Sequence, residues 1–329
     1  MAIPKSENAF LHVLKVGGWV GVDLFFVLSG FLVSGLLFHE IKLNGKVNLL
    51  RFLIRRGIKI YPPFWIFIFT TIVGYALVNK DINSRSLLGE LMFLQNYTSH
   101  LWAHTWSLAV EEHFYFILAF VIFVLMAGSR PRMPLLLPLF LLVSAACLVF
   151  RIQSWDGSSA FDFKANLYPT HLRVDSLFFG VLLSYFCHFH ELKNKLLNVP
   201  TFAFILGGCA LLAPAFIFPV EITKWVSVYG VMMFAVGSGL LVFASTRIEN
   251  VEYLLLDRAA VLGSSSYCIY LWHMPINNLV QLIMLKINLN SFWIYFFSYM
   301  VGSLIIGHVL SRIIEIPSLR IREKVMPKL

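Results

Sequence analysis

Glu111, Glu112 and His113 stand side by side in HTWSLAVEEHFYF, within a run otherwise apolar enough to cross a membrane. Consecutive helical positions fan around about 200° of a helix, so the three cannot share one cavity. Glu111 and Tyr115 share a face, and at least one of the carboxylates must point into the bundle. The plain alternative is a solvated helix start, where the macrodipole favours acids. THLRVDSLFFG adds His171, Arg173 and Asp175, with Arg173 free either to snorkel outward or to pair with Asp175, Asp23 or Glu111. GGWVGVDLFFVLSGFLVSG places Asp23 near the outer end of an apolar run whose glycines allow close helix approach; it is either an interfacial cap or the wall of a polar site. SSSYCIYLWHMP contributes Tyr267, Tyr270 and His273, and a lone His beside a Pro is as readily a hydrogen-bonded core residue as a functional one. Ionisable groups inside spans cost about 2.5–3.5 kcal/mol each on insertion scales and usually mark function.

A second chemistry lies in RFLIRRGIKIYPPF, where Arg51, Arg55, Arg56 and Lys59 precede Tyr61, Pro62 and Pro63. Arginine forks and a lysine suit a pyrophosphate-bearing donor. The same charges also fit the ordinary basic flank of a membrane span. No Walker loop, dinucleotide fingerprint or HExxH motif occurs, and Cys147, Cys187, Cys209 and Cys268 fall in apolar runs without metal-ligand or disulfide spacing. No metal is expected.

The elements that must hold these residues follow from composition. The 329 residues are 59% hydrophobic, 16% aromatic and only 13% charged, with mean hydropathy +0.78. A soluble chain carries about 25% charged residues to cover its surface, so soluble-enzyme readings fall away. The expected fold is an all-α polytopic transmembrane bundle of about nine spans, near 17–38, 60–78, 106–127, 134–150, 171–188, 200–219, 225–245, 260–285 and 292–313, the fourth and fifth being short. One integral membrane domain fills 1–329, with 1–16 as a short N-terminal segment. The net charge of +9 is not a nucleic-acid face, because every Lys and Arg except Arg173 can be assigned to connections. The basic residues concentrate in 39–59, 128–133, 189–199, 246–259 and the C-terminal end. The positive-inside rule therefore makes that set and the C-terminus cytoplasmic and puts the N-terminus outside. An outside N-terminus without a signal peptide in turn suggests a missing upstream span.

In these motifs the chain resembles the acyltransferase 3 family of integral membrane O-acyltransferases, which includes O-antigen and other cell-surface polysaccharide acetyltransferases. The carrying strings are GVDLFFVLSGFLVSGLLF, FLIRRGIKIYPPF, HTWSLAVEEHFYF, HLRVDSLFFG, SYCIYLWH and EIPS, in family order across 17–318. Lys59 stands where an Arg is more usual. The resemblance implies about ten spans in the inner membrane and acyl transfer, commonly acetyl from acetyl-CoA, to a hydroxyl of a carbohydrate or lipid-linked glycan. It also implies a helix ahead of GVDLFF bearing a basic residue and, beyond ten further residues, a catalytic His. His12 is the sole candidate for that His. It lies close to the glycine pair, and no Arg or Lys precedes it by eleven positions. The expectation is thus a chain without its first helix and with little activity of its own.

On this reading the donor's phosphates engage Arg55, Arg56, Lys59 and Tyr61 at the inner face. Asp23, Glu111, Arg173, Asp175, Tyr267 and His273 surround the acceptor, and Arg173 neutralises a carboxylate to orient the base. A proton-coupled transporter is the rival from another class, since buried acids, His and Arg also build proton relays. An inactive acyltransferase homologue is the third reading.

Overall fold

The computed structural model describes residues 12–13, 16–128, 131–155, 157, 159–248 and 260–327. Its main helices are α1 (Gly21–Asn44), α2 (Leu49–Leu77), α3 (Ser84–Leu91), α4 (Trp106–Met126), α5 (Leu136–Ser154), α6 (Val174–Phe189), α7 (Thr201–Ile217), α8 (Val231–Thr246), α9 (Ser266–Lys286), α10 (Phe292–Leu310) and α11 (Ile316–Val325). No strand occurs among the described residues. Among the described residues seven helical stretches are long and apolar enough to cross a membrane, and the shorter apolar α6 and α7 bring the set to the nine expected. The chain is an all-α, multi-pass membrane protein.

Contacts between helix ends sort the bundle into two faces. Lys42 near the end of α1 donates to the carbonyl of His188 near the end of α6, and Arg247 beyond α8 donates to the carbonyls of Leu197 and Val199. Arg55 near the start of α2 meets Glu323 of α11. We term this the basic end. At the opposite end the 78–105 connection meets the turn before α6, where Asn96 and His113 both reach the Thr170 hydroxyl, at 2.8 and 2.7 Å.

The core is built on α1 against α6. An added Cβ at Gly30 would lie 2.0 Å from the Leu177 carbonyl oxygen, and one at Gly180 would lie 2.2 Å from that of Val27. The two backbones therefore touch, which only glycine permits at this crossing. Gly30→Ala is expected to lower stability by about 1–3 kcal/mol, as overpacking does. A thermal unfolding midpoint in detergent unchanged from the parent would contradict this crossing.

Helix starts depart from the sequence expectation. The segment 39–59 reads as a polar connection, yet α1 continues to Asn44 and α2 begins at Leu49, capped by the Asn48 side chain on the Arg51 N–H at 2.9 Å. Arg51, Arg55, Arg56 and Lys59 are thus helical, and Pro62 and Pro63 lie inside α2. The carbonyl of Ile60, next to the proline pair, accepts the Tyr267 hydroxyl at 3.0 Å, which ties α9 to α2. The fourth span is not short: it runs from Met133 to Ser154. Arg173, expected within a span, sits on the turn before α6. Arg151, expected in a connection, is a buried residue of α5. Of the basic residues used to orient the chain, Lys5, Lys15, Arg130, Arg258 and Lys328 lie outside the described residues, as does most of the 1–16 segment.

Candidate active site

The ionisable groups that the sequence singles out enter the bundle in three linked clusters. The first joins α1 to the start of α6. Asp23 and Arg173 are both fully buried and 3.0 Å apart, and Ser176 donates to the same Asp23 oxygen at 3.3 Å. The Arg173 guanidinium lies among the rings of Trp19, Phe26 and Trp106, with its carbon 5.9, 5.7 and 5.7 Å from their centroids. Aromatic faces stabilise a desolvated cation, by about 2 kcal/mol in favourable cases. The ion pair is close but poorly aligned. Asp23 Oδ2 and the Arg173 nitrogens complete no hydrogen bond among the described residues.

Asp175 does not face Arg173. It pairs with Arg151 at 2.7 Å, and Arg151 also donates to the Leu172 carbonyl at 3.0 Å. These two contacts flank Arg173 and fix the turn that carries it. Sequence reasoning missed Arg151 because a basic residue ending an apolar run reads as an ordinary flank. His171, one turn away, is exposed and joins Tyr97 at 3.1 Å, apart from the buried pairs.

The second cluster lies deeper along α4. Ser29 and Tyr115 both donate to Glu111, as the shared face of Glu111 and Tyr115 implies. Glu112 accepts from Tyr61, so both carboxylates are buried, each 6% exposed, and neither lies at a solvated helix end. The Arg56 guanidinium is 5.7 Å from the Tyr115 ring, and Lys59 lies within electrostatic reach of Arg56, Glu315 and Glu111.

The basic residues of α2 are stacked along the helix, Lys59 lying one turn, about 6 Å, beyond Arg55. Arg51 donates to the Pro327 carbonyl, and Arg55 donates to Met326 and pairs with Glu323 at 2.8 Å. Next to this end an open groove of about 760 Å³ is lined by Lys46, Asn48, Arg51 and Phe123 among others.

The third cluster joins α4 to α9. Tyr270 donates to the His104 carbonyl at 2.7 Å and meets Ser107 at 2.6 Å. The His104 and His273 rings are 4.8 Å apart, nearly perpendicular. His104 Nε2 meets the Leu271 carbonyl at 3.1 Å, and His273 Nδ1 meets the carbonyl of Tyr270. A carbonyl accepts only, so each ring is held as the tautomer that donates there, with its other nitrogen left as a lone pair. His104 was not singled out in the sequence, although it opens the same motif. The clusters touch through α4, where Trp106 faces Arg173, Ser107 faces Tyr270 and Glu111 lies one turn further along. His12 is exposed and makes no hydrogen bond to these residues. Among the described residues no three His, Cys, Asp or Glu side chains gather as for a metal.

The 97–105 connection that carries His104 is pinned by Glu90 of α3. One carboxylate oxygen accepts from the Leu101 and Trp102 N–H groups at 3.0 and 3.3 Å and from the Thr105 hydroxyl at 2.9 Å. Burial outweighs these donors and pushes Glu90 up to about 7. A carboxyl raised on folding stabilises fully below its ordinary range, and that contribution fades as pH rises through the folded value. The connection should therefore lose resistance to proteolysis between about pH 5 and 8, and Glu90→Gln should abolish that dependence. The same slope in Glu90→Gln would exclude Glu90 as its source.

The family profile described as "Acyltransferase domain" matches residues 4–312. "O-acetyltransferase OatA" of Staphylococcus aureus is 25% identical over 284 residues, covering 79% of this chain and 46% of that protein. "Peptidoglycan O-acetyltransferase OatA" of Listeria monocytogenes is 28% identical over 335 residues, covering 92% and 51%. The chain spans about half the length of the curated relatives it matches. No solved structure matches it. With the matched profile spanning all three clusters, the chain belongs to the acyltransferase 3 family.

Proposed function

We propose that the chain transfers an acyl group, acetyl foremost, from acyl-CoA to a hydroxyl of a cell-envelope carbohydrate, with the basic end and the C-terminus facing the cytoplasm. The relatives named for O-acetyl transfer, and in one case for peptidoglycan, support the acyl group and a saccharide acceptor. One observation carries the reading furthest. A file of polar side chains, half-buried except for the buried Glu111, runs through an otherwise apolar bundle, from Arg51 and Arg55 past Arg56, Lys59 and Glu111 to Tyr270 and His273. A donor with an anionic head and a neutral, extended thioester arm matches that sequence of chemistries.

The donor's phosphates would sit at Arg51 and Arg55, beside the groove, exchanging with the C-terminal carbonyls and Glu323 that now hold those arginines. Arg56 and Lys59 would draw the arm inward, balanced by Glu111. An alcohol attacks a thioester slowly at neutral pH because its oxygen is a poor nucleophile. His273 Nε2 would take the hydroxyl proton as the oxygen adds to the thioester carbonyl. Collapse of the tetrahedral adduct breaks the C–S bond, and the departing thiolate takes the proton back from His273. Asp23 and Arg173 supply a fixed field beside this space, and Asp175 acts through Arg151 to hold the turn.

The test is thiol release from acetyl-CoA by the purified chain in lipid nanodiscs, with and without chitotetraose. Release that depends on the saccharide is expected. Arg56→Ala and Lys59→Met should each raise the KM for acetyl-CoA about tenfold, equivalent to about 1.4 kcal/mol. Solute flux without any CoA consumption would replace this reading with the transporter.

A further inference from the structure

One buried acid of the bundle has no part in the chemistry proposed above. Glu315, 1% exposed, closes the π turn Ser311–Glu315 that joins α10 to α11. Such turns carry one residue more than an α-turn and are frequent at functional sites. The extra residue rotates α11 by about 100° against α10. In that register Glu315 faces the bundle while Glu323 of α11 meets Arg55 at 2.8 Å. The buried Ser311 hydroxyl donates to Glu315 at 3.0 Å, and Cys268 of α9 lies beside the carboxylate. Both neighbours are neutral, and a carboxylate inside a span calls for a cation.

That cation is Lys59. Four charged groups act on its ammonium: Arg56 and Arg322 repel it, Glu315 and Glu111 attract it, and Glu315 has the larger effect of the two acids. Arg322 is taken up by Glu323 at 2.7 Å, and Glu112 by the Tyr61 hydroxyl. Arg56 and Lys59 therefore face Glu111 and Glu315, a pair of cations against a pair of anions. Glu111 alone would leave one positive charge unanswered. The two acids come from different helices to one level of the bundle. Tyr267, whose hydroxyl bonds the carbonyl of Ile60 next to Lys59, lies within electrostatic reach of both.

The manner of holding decides what Lys59 can do. Among the described residues it makes neither a hydrogen bond nor an ion pair, although both acids are near. A field from two sides fixes its place and leaves its three N–H donors uncommitted. An ammonium locked onto one carboxylate would have to break that pair, and strand the acid, before it met anything else. We propose that Glu315 is a positioning residue of the donor file: its charge keeps Lys59 off Glu111 and free to bond the oxygens of the donor arm. Glu315 acts through Lys59 and does not itself touch the donor. The role rests on the acyl-transfer reading, which makes Lys59 a donor contact.

The test is a double-mutant cycle on the affinity for coenzyme A, measured by calorimetry on the full chain in nanodiscs. Glu315→Gln keeps an acceptor for Ser311 and removes the charge. Lys59 then falls to Glu111, and the Kd for coenzyme A should rise at least fivefold. Loss of a negative charge near an anion site would by itself give the opposite sign, so a lower Kd overturns the proposal, as does an unchanged one. In a Lys59→Met background the same Glu315→Gln change should move the Kd less than twofold, since residues that act through one another are not additive. A further fivefold rise there would place the effect outside Lys59 and overturn the role. Glu315→Asp restores the charge and should return the Kd to within twofold of the parent, whereas a purely structural role would leave Asp no better than Gln. Coenzyme A that binds the parent but is indifferent to Glu315 removes this role alone. A parent that binds no coenzyme A removes the acyl-transfer reading with it.

Discussion

Replacing His273 by Ala is expected to lower the rate of acyl transfer by about 10²–10⁴, the usual contribution of a positioned general base. The size follows from how the ring is held. Its Nδ1 is committed to the Tyr270 carbonyl, Tyr270 is itself tied to Ser107 and the His104 carbonyl, and only Nε2 is left to accept a proton. The variant should keep its thermal midpoint, because the ring is only part-buried and its one bond is to a backbone within its own helix. It should also bind acetyl-CoA as the parent does, since the basic residues of α2 are untouched. His104→Ala should cost less, because its free nitrogen is buried beside the His273 ring rather than open to an incoming hydroxyl. A folded His273→Ala variant retaining half the parent rate would remove His273 as the base and pass the role to His104.

Composition and periodicity made the bundle legible, because hydrocarbon admits little else than apolar helices of a fixed length. The errors lie where charge and helix coincide. Six basic residues made 39–59 look like a connection, yet buried Phe52, Ile60 and Phe64, with half-buried Leu49 beside them, supply a face that carries α2 back through the cluster. The i, i+4 argument correctly joined Glu111 to Tyr115, since both lie on one helix. It could not find Ser29 for Glu111 or Tyr61 for Glu112, whose partners lie 82 and 51 residues away. The partner of Arg173 was left open among three carboxylates for the same reason. Asp175 was the local choice, but it is drawn off by Arg151, whose partners are 24 and 21 residues along the chain. Local spacing says which face a residue occupies, and only the packing of distant helices says what it meets there.

The Asp23–Arg173 pair gives the second large effect. Asp23→Ala leaves an unopposed guanidinium in a site with no solvent exposure and should destabilise the chain by about 3–5 kcal/mol, as breaking a buried pair does. The aromatic rings around Arg173 offset part of that cost but offer no hydrogen-bond acceptor of comparable strength. Removing both charges together is a different experiment. Asp23→Leu with Arg173→Met replaces two desolvated ions by apolar groups of similar reach, and most of the lost thermal midpoint should return. If the pair serves only the fold, the double variant should also transfer acyl groups at the parent rate. We expect instead that it folds and stays at least tenfold slower, because an apolar replacement restores packing but no field. A double variant that is stable and fully active would confine Asp23 and Arg173 to a structural role. A double variant no more stable than Asp23→Ala would show that the site demands a cation, and that Trp19, Phe26 and Trp106 are arranged around one.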